Sequence, residues 1–201
     1  MGTLADLKAR ILDEIGGEVS VRQIGAAIKR AIDHYAAERF WFNVERGTTF
    51  TVAGVDTAAL PPRLRREDAA YVILGSHLTP LCKRTFSEID EAGDLISQGQ
   101  PTDYAMTSAG IRLYPTPNAI FTLTLPGVYD AAALSADSSS NAWTTEAVDL
   151  IAAAAKKLLL RDIKGDAAGA AIATGVEADA LYRLRAETVQ RLNTGRMRAS
   201  T

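Results

Sequence analysis

Apolar positions near the start of the chain recur every three or four residues. Leu4, Leu7, Ile11 and Ile15 make one such stripe, which predicts an amphipathic helix behind an N-capping Thr3 and closed by Gly16-Gly17. A second stripe of Val21, Ile24, Ile28, Ile32 and Tyr35 follows. Ser20 and Gln23 stand in capping-box positions before it, and Val19 and Ile24 stand where a hydrophobic staple would close. The opposite face carries Arg22, Lys29, Arg30 and Asp33. Two helices that each bury one face predict a helical hairpin over residues 1–43.

After Arg39-Phe40-Trp41-Phe42-Asn43 the period shifts from helix towards strand. Thr48 to Val52 reads as a strand and Asp56 to Pro62 as a loop. Tyr71-Val72-Ile73-Leu74 reads as a buried strand that Leu78 to Phe86 continues. Ser87 is expected to start a short helix ending near Gln98-Gly99, with Ile89, Leu95 and Ile96 available to pack. From Gly99 to Trp143 short strand-like runs alternate with turn signals. Tyr104 to Thr107 is followed by Ser108-Ala109-Gly110, then Ile111 to Tyr114, then Pro115-Thr116-Pro117-Asn118, then Ile120 to Leu125. That is the pattern of a β-meander.

Asp137-Ser138-Ser139-Ser140 reads as a linker, and Asn141 as the cap of a helical C-terminal region. Trp143, Ala147, Leu150, Ile151, Ala154 and Leu158 keep helical spacing, and Gly165-Asp166 breaks it. A further helix to about Asn193 sets Leu181, Leu184 and Leu192 on one side, with Gly195 as its C′ residue. The alanine runs 152–155 and 167–173 permit close helix–helix approach. The predicted class is α+β: an N-terminal helical hairpin, a central, mostly antiparallel β-meander, and a C-terminal pair of long helices with an extended tail. The expected organisation is one domain over 1–201. It divides into the hairpin (1–43), a β-rich insertion (44–136), the C-terminal helices (141–195) and a flexible tail (196–201).

The β-hairpin of Tyr104 to Tyr114, the Tyr114-Pro115-Thr116-Pro117 corner, the strand after it, the Leu134-Ser135-Ala136-Asp137 turn and Asn141-Ala142-Trp143 come in a specific order. With Arg39 to Asn43 upstream, that order resembles the head-to-tail adaptor proteins of short-tailed bacteriophages, the tail-adaptor, tail tubular or tail accessory group. The resemblance runs from about Ile24 to the C-terminal helices. It implies a structural virion protein of the neck or tail, assembled in the host cytoplasm. It also implies a homo-oligomeric ring of about twelve copies that binds the portal on one side and a downstream tail or nozzle protein on the other. DNA would pass through its lumen without specific binding.

Composition narrows the alternatives. A net charge of −2 argues against a surface that is one continuous nucleic-acid footprint. Cys82 is the only cysteine, so no intrachain disulfide forms. No apolar run approaches the ~20 residues that span a bilayer, and no signal peptide or membrane contact is expected. His34 and His77 lie in no metal-ligand spacing, and no metal or cofactor is expected. His77 and Cys82 lack the orienting third group of a nucleophilic pair, and Glu38 and Glu45 lack a sugar-binding frame. Phosphate loops and nucleophile elbows are absent, so an enzyme is not expected.

Two surfaces remain. Among the charged residues from Arg183 to the C-terminus Glu187 is the only acid, and Arg191, Arg196, Met197 and Arg198 are the candidate portal contacts, since guanidinium groups pair bidentately with carboxylates. This segment takes that role from the resemblance, in which the C-terminal region engages the portal. The alternative reads residues 4–35 as a helix-turn-helix regulator, with Arg22, Gln23, Lys29 and Arg30 facing DNA. The Phe40-Trp41-Phe42 cluster and Trp143 are expected to anchor the core.

Overall fold

The structure, a computed structural model, describes residues 2–16, 19–91 and 97–193. Its described residues form an α+β protein of two compact units, one of residues 44–130 and one that brings 1–43 together with the chain beyond 131.

The helical unit begins with α1 (Leu4–Ile15) and α2 (Val21–Tyr35). Both caps are full capping boxes, Thr3 with Asp6 and Ser20 with Gln23. Each satisfies two backbone N–H groups at a helix start. The α1 stripe is buried as its spacing predicts. In α2 the buried set is Ile24, Ala27, Ile28, Ala31 and Tyr35, whereas Val21 is exposed and Ile32 half-buried, because both lie at the margin of the buried stripe. Val19 and Ile24 are both buried, as a staple requires.

Helix α3 (Phe86–Glu91) belongs to the other unit, and Asn141 caps α4 (Ala142–Thr145), a single turn. Helix α5 (Val148–Leu159) follows, then a π-type turn at Leu160–Lys164 that Gly165 closes with φ of 65°. The last helix, α6, is Ala167–Asn193. The expected continuous helix from Trp143 is thus two pieces. Helix α5 is the centre of the unit, and Ala152 to Ala155 are all buried. Its neighbours are α1, α2 and α6. Phe40 and Trp143 are buried in the same core, edge to face at 5.8 Å, and Phe42 meets Trp143 likewise at 5.1 Å.

The strands of the other unit are β1 (Val44–Phe50), β2 (Thr57–Ala58), β3 (Leu64–Glu67), β4 (Tyr71–Leu74), β5 (His77–Pro80), β6 (Cys82–Lys83), β7 (Gln98–Gly99), β8 (Asp103–Thr107), β9 (Gly110–Tyr114), β10 (Thr116–Pro117) and β11 (Thr122–Tyr129). One sheet has the order β1-β11-β4-β5, with β3 also on β11, and a second has β2-β9-β8-β6. All pairs are antiparallel except β6 with β8 and the small pair β7 with β10. Val72, Leu123 and Leu125 from the first sheet and Tyr104, Ile111 and Leu113 from the second share one core.

The expected loop at Asp56 to Pro62 contains β2. The run from Leu78 to Phe86 is divided between the two sheets. Helix α3 stops at Glu91 rather than near Gly99, and Gln98-Gly99 is strand. Thr85 caps α3 through Glu88, two residues before the expected Ser87 start. Leu95, Ile96 and Gly195 lie outside the described residues.

Candidate functional site

Helix α6 carries the root of the basic segment. Its 27 residues span about 40 Å at 1.5 Å per residue. The face it buries is Ala170, Ala173, Glu177, Leu184 and Thr188. The alanines let its first half lie close against the alanine run of α5. Of the three leucines expected on one side, Leu184 is buried, Leu181 half-buried and Leu192 exposed.

Three polar links hold α6 to the rest of the unit. In the first, Tyr35 Oη of α2 donates to Glu177 Oε1 at 2.6 Å, and Lys157 Nζ of α5 pairs with Glu177 Oε2. Glu177 is only 5% exposed. Burial foremost, and then the hydrogen bond to the Glu177 carboxylate, pushes the Tyr35 hydroxyl well above the usual phenol range, which keeps it a proton donor. In the second, Arg185 pairs with Glu38 just after α2. In the third, the Arg191 guanidinium lies 3.7 Å above the Trp41 ring and pairs with Glu187 one turn back at 2.5 Å. The backbone N–H of Trp41 also donates to Thr188 Oγ1 at 3.4 Å.

The turn that presents Trp41 is set by Asn43, which is almost fully buried. Its Oδ1 accepts from the Phe40 N–H and its Nδ2 donates to the Glu38 carbonyl, both at 2.8 Å. The aromatic run therefore divides its work: Phe40 is core, Phe42 packs on it 5.4 Å away, and Trp41 is half-buried under Arg191. The sequence reading treated the three aromatics as one core anchor and missed the Trp41–Arg191 stack. It also missed Glu177, although its seven-residue spacing to Ala170 and Leu184 marks the buried face.

Arg191 is thus placed at the end of α6, while Arg196, Met197 and Arg198 lie outside the described residues. The alternative site residues lie elsewhere in the unit. The Gln23 side chain accepts from the Ser20 N–H at 2.9 Å within the capping box. Arg30 pairs with Asp162 at 3.3 Å, and Arg22 and Lys29 are exposed. Glu38 and Glu45 are each paired with an arginine of their own unit, Arg185 and Arg63. Cys82 and His77 are exposed on strands of different sheets. Among the described residues no cluster of His, Cys, Asp and Glu has the makings of a metal site, and no helix is long and apolar enough to cross a membrane. The arrangement offers surfaces for docking.

The family model described as SU10 adaptor protein matches residues 2–200. The chain belongs to the SU10 adaptor family. This is a phage head–tail adaptor family, so the role of the chain is structural, that of a connector between phage components, and its family implies a non-enzymatic part in the virion. None of the curated proteins compared with this SU10 adaptor matches it.

Proposed function

We propose that this SU10 adaptor forms a ring of about twelve copies by a heterologous contact that closes on itself, between the portal vertex and the tail, around a channel for DNA. The segment from Arg191 through Arg196, Met197 and Arg198 grips the portal. The sheet unit takes the downstream tail or nozzle protein. Many weak contacts, one set per copy, add to a lasting joint. The family match over nearly the whole chain carries this reading. The anchoring of the α6 end by Trp41 supports the placement of the grip, because it gives the basic segment a fixed origin.

The test is light-scattering mass across a size-exclusion column, for the chain alone and mixed with purified portal rings, beside a variant ending at Asn193. A defined complex that the truncation abolishes is expected. A complex that the truncation leaves intact would move the portal contact off this segment. No complex with any portal, and a constant small mass, would refute the adaptor arrangement.

A further inference from the structure

Strand β1 is the edge of its sheet, and its outward hydrogen-bonding groups can be assigned one by one. The ladder pairs Glu45 with Gly127, Gly47 with Leu125 and Thr49 with Leu123. On β11 the Pro126 carbonyl accepts from the Asp68 N–H at 2.9 Å, on the side away from β1. Even-numbered β11 residues therefore face β3 and β4, and odd-numbered ones face β1, since alternate residues of an antiparallel strand point their N–H and C=O the same way. Two bonds agree: the Gly47 N–H reaches Tyr129 Oη at 2.9 Å, and the Thr51 N–H reaches the Phe121 carbonyl at 3.0 Å. The N–H and C=O groups of Val44, Arg46, Thr48 and Phe50 accordingly point out of the sheet. No other described strand pairs with them.

Away from β1 the sheet ends in β3 and, beyond β4, in β5, and β5 is blunted. Thr79 and His77 face β4, so Leu78 and Pro80 face outward, and proline has no N–H to offer. Sheets usually protect both edges. Here β1 runs seven residues, about 23 Å at ~3.3 Å per residue, with neither proline nor lysine. Its even-numbered side chains are also prepared for a partner. Arg46 is exposed and makes no ion pair with a described residue. Phe50 is 61% exposed, and Val52 and Ile120 beside it are exposed as well.

We propose that β1 receives an extended strand from the tail-side protein, so that the sheet of the adaptor gains a strand across the joint. The added strand supplies main-chain hydrogen bonds to Arg46, Thr48 and Phe50, a carboxylate opposite Arg46, and an apolar side chain against Phe50 and Val52. Main-chain bonding gives affinity, and the charge and the apolar patch give register. Pro80 leaves β5 a poor donor strand from a second copy. The inference rests on the adaptor reading and names how its tail-side face works.

The experiment is amide hydrogen exchange on the full chain, free and bound to tail complexes released from purified virions. In the free chain the amides of Arg46, Thr48 and Phe50 are expected to exchange at least about 100-fold faster than those of Glu45 and Thr49. Tail binding is expected to slow them at least about tenfold. Thr48→Pro removes only an outward N–H, after a glycine that tolerates a following proline, and is expected to weaken tail binding by about tenfold or more while portal binding and thermal stability hold. Arg46→Glu, a surface change that leaves the backbone intact, is expected to weaken it by a similar factor and serves if the proline variant unfolds.

Tail binding that survives both substitutions, with the three amides still exchanging fast, overturns the inference and leaves the adaptor reading standing. Protection of these amides in the free chain that grows with its concentration overturns it too, since the occupant is then a second copy. A wild-type chain that binds neither portal nor tail overturns both.

Discussion

Glu177 offers the sharpest test of how the helical unit is held together. Replacing it with alanine strands two groups, the Tyr35 hydroxyl and the Lys157 ammonium. Removing one partner of a fully buried pair costs about 3–5 kcal/mol. The Lys157 side chain keeps 26% of its exposure and reaches water, which places its share near or below the lower end of that range. An orphaned buried hydroxyl costs about 1–3 kcal/mol. With the better helix propensity of alanine offsetting a few tenths, the expected loss is about 3 kcal/mol. For a chain of this size that lowers Tm by about 6–12 °C. Glu177→Gln keeps an acceptor for Tyr35 and loses only the charge, so about 1–2 kcal/mol is expected. The triple change Tyr35→Phe, Lys157→Met and Glu177→Leu buries no charge and should fall within about 1 kcal/mol of the parent. Urea unfolding followed by tryptophan fluorescence is the right assay, because Trp41 and Trp143 both belong to the helical unit and report it alone. A Glu177→Ala cost below about 0.5 kcal/mol, or a triple variant as weak as the single one, would refute the reasoning.

Other perturbations follow from the same geometry. Asn43→Ala leaves the Phe40 N–H and the Glu38 carbonyl without their partner and should cost about 2–3 kcal/mol in the same fluorescence assay. A Cβ on Gly47 would stand 2.3 Å from Tyr129 Oη, so Gly47→Ala must displace the hydroxyl that bridges the Gly47 N–H and the Leu125 carbonyl. A loss of about 1–3 kcal/mol is expected in far-ultraviolet melting, and Tyr129→Phe should relieve only part of the clash, since Pro61 Cβ and the ring Cζ also stand 2.8 Å away. Alkaline titration has a definite sign. Burial pushes the Tyr104 hydroxyl up to about 12 and the Tyr35 hydroxyl higher still. The unfolded chain therefore loses these protons first, near pH 10. Their contribution is complete below pH 10 and is lost as pH rises through the folded values, so stability should fall steeply above pH 10. Tyr35→Phe should flatten that fall for the helical unit, and an unchanged slope would contradict the assignment.

Where a local rule decided an element, the sequence alone was enough to read it. Thr3, Ser20 and Asn141 cap where their hydroxyl or amide is followed at the right spacing by a residue that completes the box, a chain-local requirement. The α1 stripe and the β8–β9 hairpin from Tyr104 to Tyr114 were legible for the same reason, whereas the strand expected at Ile120–Leu125 runs Thr122–Tyr129 and pairs in the other sheet, so the expected meander is divided between two sheets. The division of the run from Leu78 to Phe86 between two sheets was not legible, because β6 pairs with β8, some twenty residues on, and nothing local selects that partner. The docking features were legible in type and not in placement. The basic C-terminal residues stand out by composition, but the stack of Arg191 on Trp41 joins residues 150 positions apart. Likewise Phe50 and Ile120 are ordinary apolar residues in the sequence until the Thr51–Phe121 bond brings them near one another at the exposed end of β1.

The composition of α6 bears on the proposed ring. Its inner face is alanine, one leucine, Thr188 and a buried carboxylate, so a single copy holds it with little apolar burial and three polar links. Its outer face carries Ile172, Val176, Tyr182 and Val189, all exposed. These apolar side chains are interspersed with Asp179, Arg183 and Arg185, which gives this face a mixed character suited to a contact in the proposed ring. For a subunit that has to remain folded before it meets its neighbours, this division is physically sensible. The polar links fix the position of α6 by directional bonds, which need no large apolar area. In the proposed ring the larger apolar side chains are left for a contact between copies, where their burial, at roughly 25 cal/mol per Å², would drive association rather than folding. On that reading, stability of the single chain and affinity between copies fall to different faces of one helix. Glu177→Gln should weaken the first with little effect on the second, and Tyr182→Ser should do the reverse, reducing ring assembly on the portal while leaving the unfolding midpoint of the free chain in place.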